Sequence, residues 1–337
     1  MKRIRLANLP TKIYRLERLS KELGANIYIK RDDQTGSELT GNKVRKLEFE
    51  CADALEKGCN LLITCGGIQS NHCRATVAAA TLLGMKSAVL LRISSEPPVR
   101  GNYFLDRLMG ADVKFCNQEE YRHHRQQIME DMAEGYRRQG YKPYIIPEGA
   151  SNAIGTLGYY SCMQEILAQE KQMGLEFNTI VVATGSGGTI AGLHLANQLG
   201  KLGKRCIGMA VCDDVEYFTD IADNISNEAK HILKDFLDTE DYSNAQLLRS
   251  GIEINDGYVG IGYALSRPEE LEFIRKVARL EGLILDPVYT GKAMYGLYNE
   301  LKDGADPKTA ISRTDNVLFI HTGGLFGLFP ISDDFPL

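Results

Sequence analysis

A lysine stands where a glycine-led turn runs into a helix. In GNKVRKLEFE, residues 41–50, Lys43 follows Gly41 and Asn42 and precedes Arg45 on the same helix. If this corner is buried, the charged amine is disfavoured, its pKa falls, and a neutral nucleophile becomes available. Arg45 could also keep the pKa of a neighbouring lysine low. Other lysines are alternative candidates for this nucleophile: Lys30, Lys46 and Lys292.

A glycine-rich segment, TGSGGTIAG (184–192), joins the apolar run TIVVA to a helix. Glycines let successive N–H groups turn toward one point, and a helix N-terminus favours a negative charge, so this segment predicts a phosphate site. Its residues are Gly185, Ser186, Gly187, Gly188 and Thr189. The segment has no GK[ST], and Ile190 breaks the GxGxxG spacing of a dinucleotide fold. The alternative is a tight strand-to-helix turn.

A second strand end, CGGIQSNHC (65–73), brings polar side chains to the start of a helix. Ser70 is well placed as an N-cap, which is a purely structural role. Alternatively, the free N–H groups receive a substrate carboxylate, with Gln69 nearby, and Asn71 meets a ring oxygen. Nothing local decides between these interpretations.

Two further strand ends carry hydroxyl groups. LDPVYTGKAMYG (285–296) contains Tyr289 and Thr290 at the start of a helix, and FIHTGGLFG (319–327) contains Thr322 after a buried strand. A phosphate cradle, strand-end hydroxyls and a lysine at a buried corner suggest pyridoxal 5'-phosphate. That cofactor needs a lysine amine, a phosphate anchor and a partner for its ring nitrogen.

The elements that must position these residues alternate along the chain. Apolar runs predict strands over 26–32, 60–66, 86–92, 112–116, 143–147, 179–185, 205–211 and 316–323. Amphipathic stretches predict helices over 43–58, 71–84, 118–139, 155–174, 188–200, 267–283 and 291–303. This alternation predicts an α/β fold with parallel sheets covered on both faces. Residues 213–257 are more polar and predict helices and loops.

Composition limits the partners. The 337 residues include 39 Lys+Arg against 44 Asp+Glu, a net charge of −5, with no basic block. Nucleic acid and anionic membrane are therefore not expected as partners. No apolar run suits a membrane span or a secretory signal, and the eight cysteines show no CxxC pair, so we expect a cytoplasmic protein with reduced thiols. No His/Cys group has metal-ligand spacing, so no metal is expected.

Five motifs in this order carry a family likeness: GNKVRKLEF, GGIQSNH, TGSGGT, DPVYTGKA and HTGG. From about residue 8 to about residue 327, the chain closely resembles the D-cysteine desulfhydrase and 1-aminocyclopropane-1-carboxylate deaminase family. The resemblance implies the pyridoxal-phosphate fold type II of the tryptophan-synthase β-subunit, with two open, twisted, mostly parallel sheets. It also implies a small domain, 47–158, inserted into a large domain made of 1–46 and 159–337, and a homodimer.

The resemblance implies a role for each matching position. Lys43 is the lysine that binds the cofactor covalently, and Asn71 bonds the 3′-oxygen of the pyridoxal ring. Ser70 lies near the substrate carboxylate and positions it or relays a proton. Tyr289 is the general acid/base helper, and Tyr263, in GYVGIGYALSRPEE, is a second tyrosine at the substrate pocket.

Departures from the family pattern bear on the substrate. The ring-opening deaminases carry glutamate after the DPVY tyrosine and a non-hydroxyl residue before the final GG, where this chain has Thr290 and Thr322. We expect Thr322 to contact the ring nitrogen of the cofactor, with Thr290 as the second candidate. With a hydroxyl rather than a carboxylate at its nitrogen, the cofactor ring is a weaker electron sink. A weaker sink favours β-elimination over ring opening.

The expected reaction converts D-cysteine to pyruvate, sulfide and ammonia. Alternatives are ring opening of the cyclopropane acid, elimination from cysteate or D-serine, β-replacement, and a non-catalytic cofactor carrier. The chain reads GYALSRP where the desulfhydrases usually read GYG-V-P-N. Arg267, beside Ser266, could pair with a sulfonate, but a solvated start of a helix with Pro268 at its first position is the favoured interpretation.

Overall fold

A computed structural model describes residues 3–302 and 309–335. The strands are β1 (Ile13–Arg15), β2 (Asn26–Lys30), β3 (Leu61–Gly67), β4 (Lys86–Arg92), β5 (Asp112–Cys116), β6 (Pro143–Ile145), β7 (Thr179–Thr184), β8 (Arg205–Ala210), β9 (Glu253–Asn255) and β10 (Asn316–Ile320). The helices are α1 (Glu17–Leu23), α2 (Asn42–Glu56), α3 (Asn71–Leu82), α4 (Gly101–Leu108), α5 (Gln118–Arg138), α6 (Ala153–Met173), α7 (Gly188–Leu199), α8 (Val215–Phe236), α9 (Pro268–Glu281), α10 (Thr290–Glu300) and α11 (Leu325–Leu328).

The strands of the described residues form two sheets. The larger has the order β1-β2-β10-β7-β8-β9, and the smaller has the order β5-β4-β3-β6. Only β1 runs antiparallel to its neighbour. Since all other pairs are parallel, the carboxyl ends of neighbouring strands meet at one edge of each sheet, where the loops into the helices lie.

Both faces of the larger sheet are covered by helices. Along β7, Ile180 and Val182 belong to an apolar cluster with α6, α7 and α8, whereas Val181 and Ala183 belong to a second cluster with α1, α9 and α10. Alternate residues of a strand point to opposite faces, so a strand between two helix layers must be apolar at every position. The central residues IVVA (180–183) meet this requirement, and all six residues of β7 are buried.

A buried charged network fixes the start of α2. Arg45 donates to both carboxylate oxygens of Asp32 at 2.8 Å and to Glu165 on α6, and Lys30 donates to Glu165 at 2.6 Å. Tyr159 also donates to Asp32 at 2.6 Å. The Arg45 guanidinium is thus engaged in this network. The role considered for it from the sequence was a different one, that of keeping the pKa of a neighbouring lysine low.

The predicted fold class is confirmed, with helices on both faces of two mostly parallel sheets. Each of the eight predicted strands and seven predicted helices occurs, with ends displaced by a few residues. The strand predicted to 323 ends at Ile320, so Thr322 lies on a loop. Residue 303, the predicted end of a helix, lies outside the described residues.

Several elements were not predicted: β1, α1, α4, β9 and α11. Within 213–257 the structure has one long helix, α8, as well as β9. The four strands of the smaller sheet all lie between residues 61 and 145. Among the described residues, none of the helices has the length and apolar character needed to cross a membrane.

Candidate active site

A cleft is lined by residues from the strand ends of both sheets. It contains many of the predicted site residues: Lys43, Ser70, Asn71, Gly185, Ser186, Gly187, Thr189, Tyr263, Tyr289 and Thr322. Three predicted residues do not line it: Gln69, Gly188 and Thr290. Among the described residues, no group of three or more His, Cys, Asp or Glu side chains could hold a metal ion.

Lys43 lies in the first turn of α2 with its amine in the cleft. Its Nζ donates to the carbonyl oxygen of Gly149 at 3.4 Å. Burial lowers the pKa of Lys43 to about 8, and the negative charge of Glu148 offsets part of this effect. Gly149 has φ 67°, and a Cβ there would lie 2.5 Å from Ser186 Oγ and 3.0 Å from Lys43 Nζ, so a side chain at this position would be strained and would crowd the amine. This amine is suited to act as a nucleophile and as a base.

The alternative lysines are engaged elsewhere. Lys46 lies behind Lys43 and donates to Gly149 O at 3.2 Å, and burial together with the charge of Lys43 lowers the pKa of Lys46. Lys30 is paired with Glu165, and Lys292 donates to two backbone carbonyls. Among these candidates, Lys43 is the one whose side chain lines the cleft.

The glycine-rich loop between β7 and α7 forms a cradle at the bottom of the cleft. Gly187 has φ 80°, and a Cβ at Gly185 would lie 2.9 Å from the ring of Tyr289, so neither position accepts a side chain without movement. The first amides of a helix have no partners within it and point toward an anion at its N-terminus.

Hydroxyl groups complete this cradle. Ser186 Oγ accepts from Ser151 Oγ at 2.8 Å, and Thr189 Oγ1 accepts from the Asn42 amide at 3.2 Å. The buried Thr184 Oγ1, beside the cleft, finds no hydrogen-bond partner among the described residues. The backbone amides, the hydroxyls of Ser186 and Thr189, and the space left at the glycines fit a phosphate group and the ring to which it is attached.

Ser70 and Asn71 lie at the start of α3. Ser70 Oγ accepts from Cys73 N at 3.1 Å, so the N-cap role is present, and Ser70 also lines the cleft. Asn71 Oδ1 accepts a hydrogen bond from the Asn102 side chain at 3.0 Å. The group that Asn71 can still offer is its NH2, which is a donor. Gln69 instead bonds Arg100 O and Asn102 N, so its side chain is directed away from the cleft.

Tyr289 and Tyr263 form a hydrogen-bonded pair on the opposite wall, with their hydroxyl oxygens 2.6 Å apart. Burial raises the pKa of Tyr289 well above its ordinary value. Burial also raises the pKa of Tyr263 to about 12, although the hydrogen bond from Tyr289 and the charge of Arg92 lower it. Both phenols therefore stay protonated near neutral pH, and the pair can donate a proton.

Thr322 and Thr290 have different surroundings. Thr322 lies on the loop after β10 with its side chain at the cleft, and its carbonyl accepts from Asn42 N at 3.0 Å. Thr290 is fully buried, donates to Asp286 Oδ1 at 2.7 Å and accepts from Asp286 N at 2.8 Å. Its hydroxyl is therefore used in fixing the start of α10.

Two titratable lining residues were not predicted from the sequence. Glu148 and His72 both face the cleft, the first after β6 and the second on α3. Glu148 follows the end of a strand, as several of the predicted residues do. The expectation that polar residues after strand ends line the site could therefore have found it. His72 bonds Thr64 at 2.8 Å, and burial lowers the pKa of His72 well below its ordinary value, so this ring is neutral.

Arg267 lies outside the cleft, as the favoured interpretation stated. Pro268 begins α9, and the Arg267 guanidinium donates to Glu270 Oε1 at 2.9 Å. Ser266 donates to Pro287 O at 3.4 Å. Neither side chain is available to a substrate in the cleft.

Comparison with known proteins identifies the family of this chain. The family model described as "Pyridoxal-phosphate dependent enzyme" matches residues 4–323. The chain belongs to this family. It is therefore a pyridoxal-phosphate dependent enzyme, and both the predicted cofactor and the predicted family likeness are confirmed.

Individual relatives cover nearly the whole chain. The "Bifunctional D-cysteine desulfhydrase/1-aminocyclopropane-1-carboxylate deaminase, mitochondrial" of Arabidopsis thaliana is 44% identical, over 96% of this chain and 78% of the relative. The "D-cysteine desulfhydrase" of Serratia proteamaculans (strain 568) is 39% identical, over 97% of this chain and 95% of the relative. A solved structure of an "ACC deaminase homologue" is 39% identical, covers 99% of this chain and 95% of its own, and has a TM-score of 0.85.

Proposed function

We propose that this enzyme eliminates the β-substituent of a small amino acid, and that D-cysteine is converted with water to pyruvate, sulfide and ammonia. The placement of Thr322 carries this proposal. Thr322 lines the cleft, whereas Thr290, at the position of the deaminase glutamate, is bonded to Asp286. A neutral hydroxyl does not supply the negative charge that stabilises a protonated ring nitrogen, which favours substrates with a good leaving group on Cβ.

The cofactor, when bound, withdraws electrons from the Cα of the amino acid. The cradle at Gly185–Thr189 would hold its phosphate, Asn71 its ring oxygen, Thr322 its ring nitrogen and Lys43 its carbonyl carbon. These roles are assigned from the contacts described above and from the family likeness.

Lys43 Nζ takes the Cα proton, because its lowered pKa leaves part of the free amine neutral near pH 7. Ser70 donates its hydroxyl proton to the substrate carboxylate and so orients Cα toward Lys43. Tyr289 protonates the departing sulfur. Its raised pKa keeps the phenol protonated, so a proton is present for this step, and the Tyr263 hydroxyl lies 2.6 Å from the Tyr289 hydroxyl.

Sulfide release separates this function from its alternatives. The enzyme loaded with cofactor is given D-cysteine, L-cysteine or 1-aminocyclopropane-1-carboxylate, and sulfide, pyruvate and 2-oxobutanoate are measured. Sulfide and pyruvate in equal amounts from D-cysteine support the proposal. Release of 2-oxobutanoate without sulfide would contradict it.

Ring opening of 1-aminocyclopropane-1-carboxylate is the second candidate. The 44% identical relative carries both activities in its name, and Ser70 and the tyrosine pair are equally available to a ring-opening reaction. The assay above measures both products on one sample, and so it ranks the two substrates by kcat/KM.

We also propose the two-domain division at 47–158, a homodimer and a cytoplasmic location. The division is supported by the four-strand sheet between residues 61 and 145. The location rests on the cysteines and the sequence pattern described above. The dimer rests on the family likeness, and light scattering tests it by a mass near twice 37.4 kDa.

A further inference from the structure

The segment that carries Tyr263, residues 257–266, has an unusual backbone. Gly260 and Gly262 have φ angles of 72° and 128°, and Ala264, next to Tyr263, has φ 58°. A non-glycine residue in this left-handed region costs free energy and persists only where surrounding contacts hold it. The contacts of this segment therefore decide where the Tyr263 side chain lies.

Two of these contacts come from the segment's own side of the cleft. Lys292 Nζ donates to the carbonyl oxygens of Val259 and Gly262, at 2.7 and 2.6 Å, and Tyr263 bonds Tyr289. A further contact comes from the smaller sheet. The guanidinium of Arg92 lies over the Tyr263 ring, 5.4 Å from its centroid.

Arg92 is held in a way that suits this contact. It ends β4 and pairs in register with Gly67 of β3, where a Cβ would lie 3.7 Å from Arg92 Nη2. Its guanidinium also lies 5.0 Å from the ring centroid of Tyr121, which is buried on α5. In the part of the chain that the structure describes, the Arg92 side chain has neither a hydrogen bond nor a carboxylate partner. Two aromatic faces, one from each side of the cleft, are its contacts.

We propose that Arg92 is a positioning residue: it stacks on Tyr263 across the cleft and so couples the approach of the smaller sheet to the placement of the Tyr263–Tyr289 pair. A planar guanidinium stacks on ring faces, whereas a lysine ammonium is a compact, strongly hydrated charge. The role of the tyrosine pair in catalysis rests on the proposed function, but the contact itself does not.

Hydrogen exchange tests the contact without substrate. In the cofactor-loaded enzyme, Arg92→Met should make the amides of 257–266 exchange about tenfold faster, which is within the strength of a desolvated cation–π contact. Arg92→Lys should restore only part of the protection. The matched control is Arg107→Met, which removes a guanidinium 5.9 Å from the Tyr103 ring on α4 and should leave 257–266 unchanged.

A double-mutant cycle makes the test specific to the ring. The effect of Arg92→Met should disappear in a Tyr263→Leu background and persist in a Tyr263→Phe background. In sulfide release, Arg92→Met should lower kcat about tenfold with KM little changed. Unaltered exchange in 257–266, or faster exchange spread evenly over the chain, would overturn the proposal. A parent that protects this segment but releases no sulfide would contradict the proposed function instead.

Discussion

At the scale of single residues, the protonation of Lys43 decides how readily it reacts. With a pKa of about 8, roughly one amine in ten is neutral at pH 7, against about one in a few thousand for an ordinary lysine. Burial of the amine beside Gly149 is the physical cause, and the neutral form is the nucleophile.

We expect the cofactor-free enzyme to bind pyridoxal phosphate covalently at a rate that rises about tenfold from pH 6 to pH 7 and levels off above about pH 8. Because Glu148 raises the pKa of Lys43, Glu148→Gln should move this plateau to lower pH. Stopped-flow absorbance measures the rate. A rate that keeps rising to pH 10 would mean that Lys43 titrates as a solvated lysine.

The two threonines should respond in opposite ways to removal of the hydroxyl group. Thr290→Val leaves the buried Asp286 without two hydrogen bonds and should cost about 3 kcal/mol of unfolding free energy. Thr322→Val should change stability by less than about 1 kcal/mol and lower kcat about tenfold. Urea unfolding and sulfide release measure the two effects. If Thr290→Val reduced kcat without loss of stability, the assignment of Thr322 would be wrong.

Much of the candidate site could be predicted from strand-end motifs, because parallel strands bring their loops to one edge. Directions of side chains could not. Gln69 and Ser70 are neighbours, yet only Ser70 lines the cleft, since the α3 start turns Gln69 toward Arg100. Which way each side chain points depends on the phase of the helix start and on partners distant in sequence.

At the scale of elements, the position of α2 depends on the buried pair of Arg45 and Asp32. Both side chains are at most 2% exposed, and two hydrogen bonds of 2.8 Å join them. Burial raises the pKa of Asp32, but Arg45, Lys30 and Tyr159 outweigh burial and lower it to about 2. Removal of one partner would leave the other as an uncompensated buried charge.

Asp32→Asn should therefore destabilise the protein by about 3 to 5 kcal/mol. In the parent, the contribution of Asp32 is present above its unfolded pKa of about 4 and is lost as the pH falls through about 4 toward about 2. Urea unfolding at pH 7 and at about pH 2 measures both. Glu17→Gln, which breaks the exposed pair with Arg15, should cost less than about 1 kcal/mol. Equal losses in the two variants would contradict this account.

Long elements were predictable because periodic burial leaves a pattern in the sequence, and short ones were not. The buried residues of α8 recur at helical spacing: Phe218, Ala222, Ile225, Ala229 and Leu233. Helical structure was therefore predicted within 213–257, although the bounds of this helix were not. The three-residue strands β1 and β9 are too short to show a period, and they form only because a neighbouring strand offers an edge.

At the scale of the whole molecule, the cleft takes residues from both sheets, so the cofactor should stabilise the entire chain. A ligand at about a hundredfold above its Kd adds about 2.7 kcal/mol, which corresponds to a rise in Tm of roughly 4 °C at this size. Thermal unfolding with and without pyridoxal phosphate measures the rise. Pyridoxal without phosphate should give a smaller rise, and an equal one would contradict the phosphate cradle at Gly185–Thr189.

The central claim is that Lys43 holds the cofactor and that the loaded enzyme eliminates sulfide from D-cysteine. The most direct measurement is the absorbance spectrum of the parent and of Lys43→Ala, each titrated with D-cysteine while sulfide is measured. We predict a yellow parent that releases sulfide, and a variant that lacks both the yellow band and the release. A variant that keeps the band and the release would contradict the role of Lys43, and a yellow parent that releases no sulfide would contradict the proposed reaction.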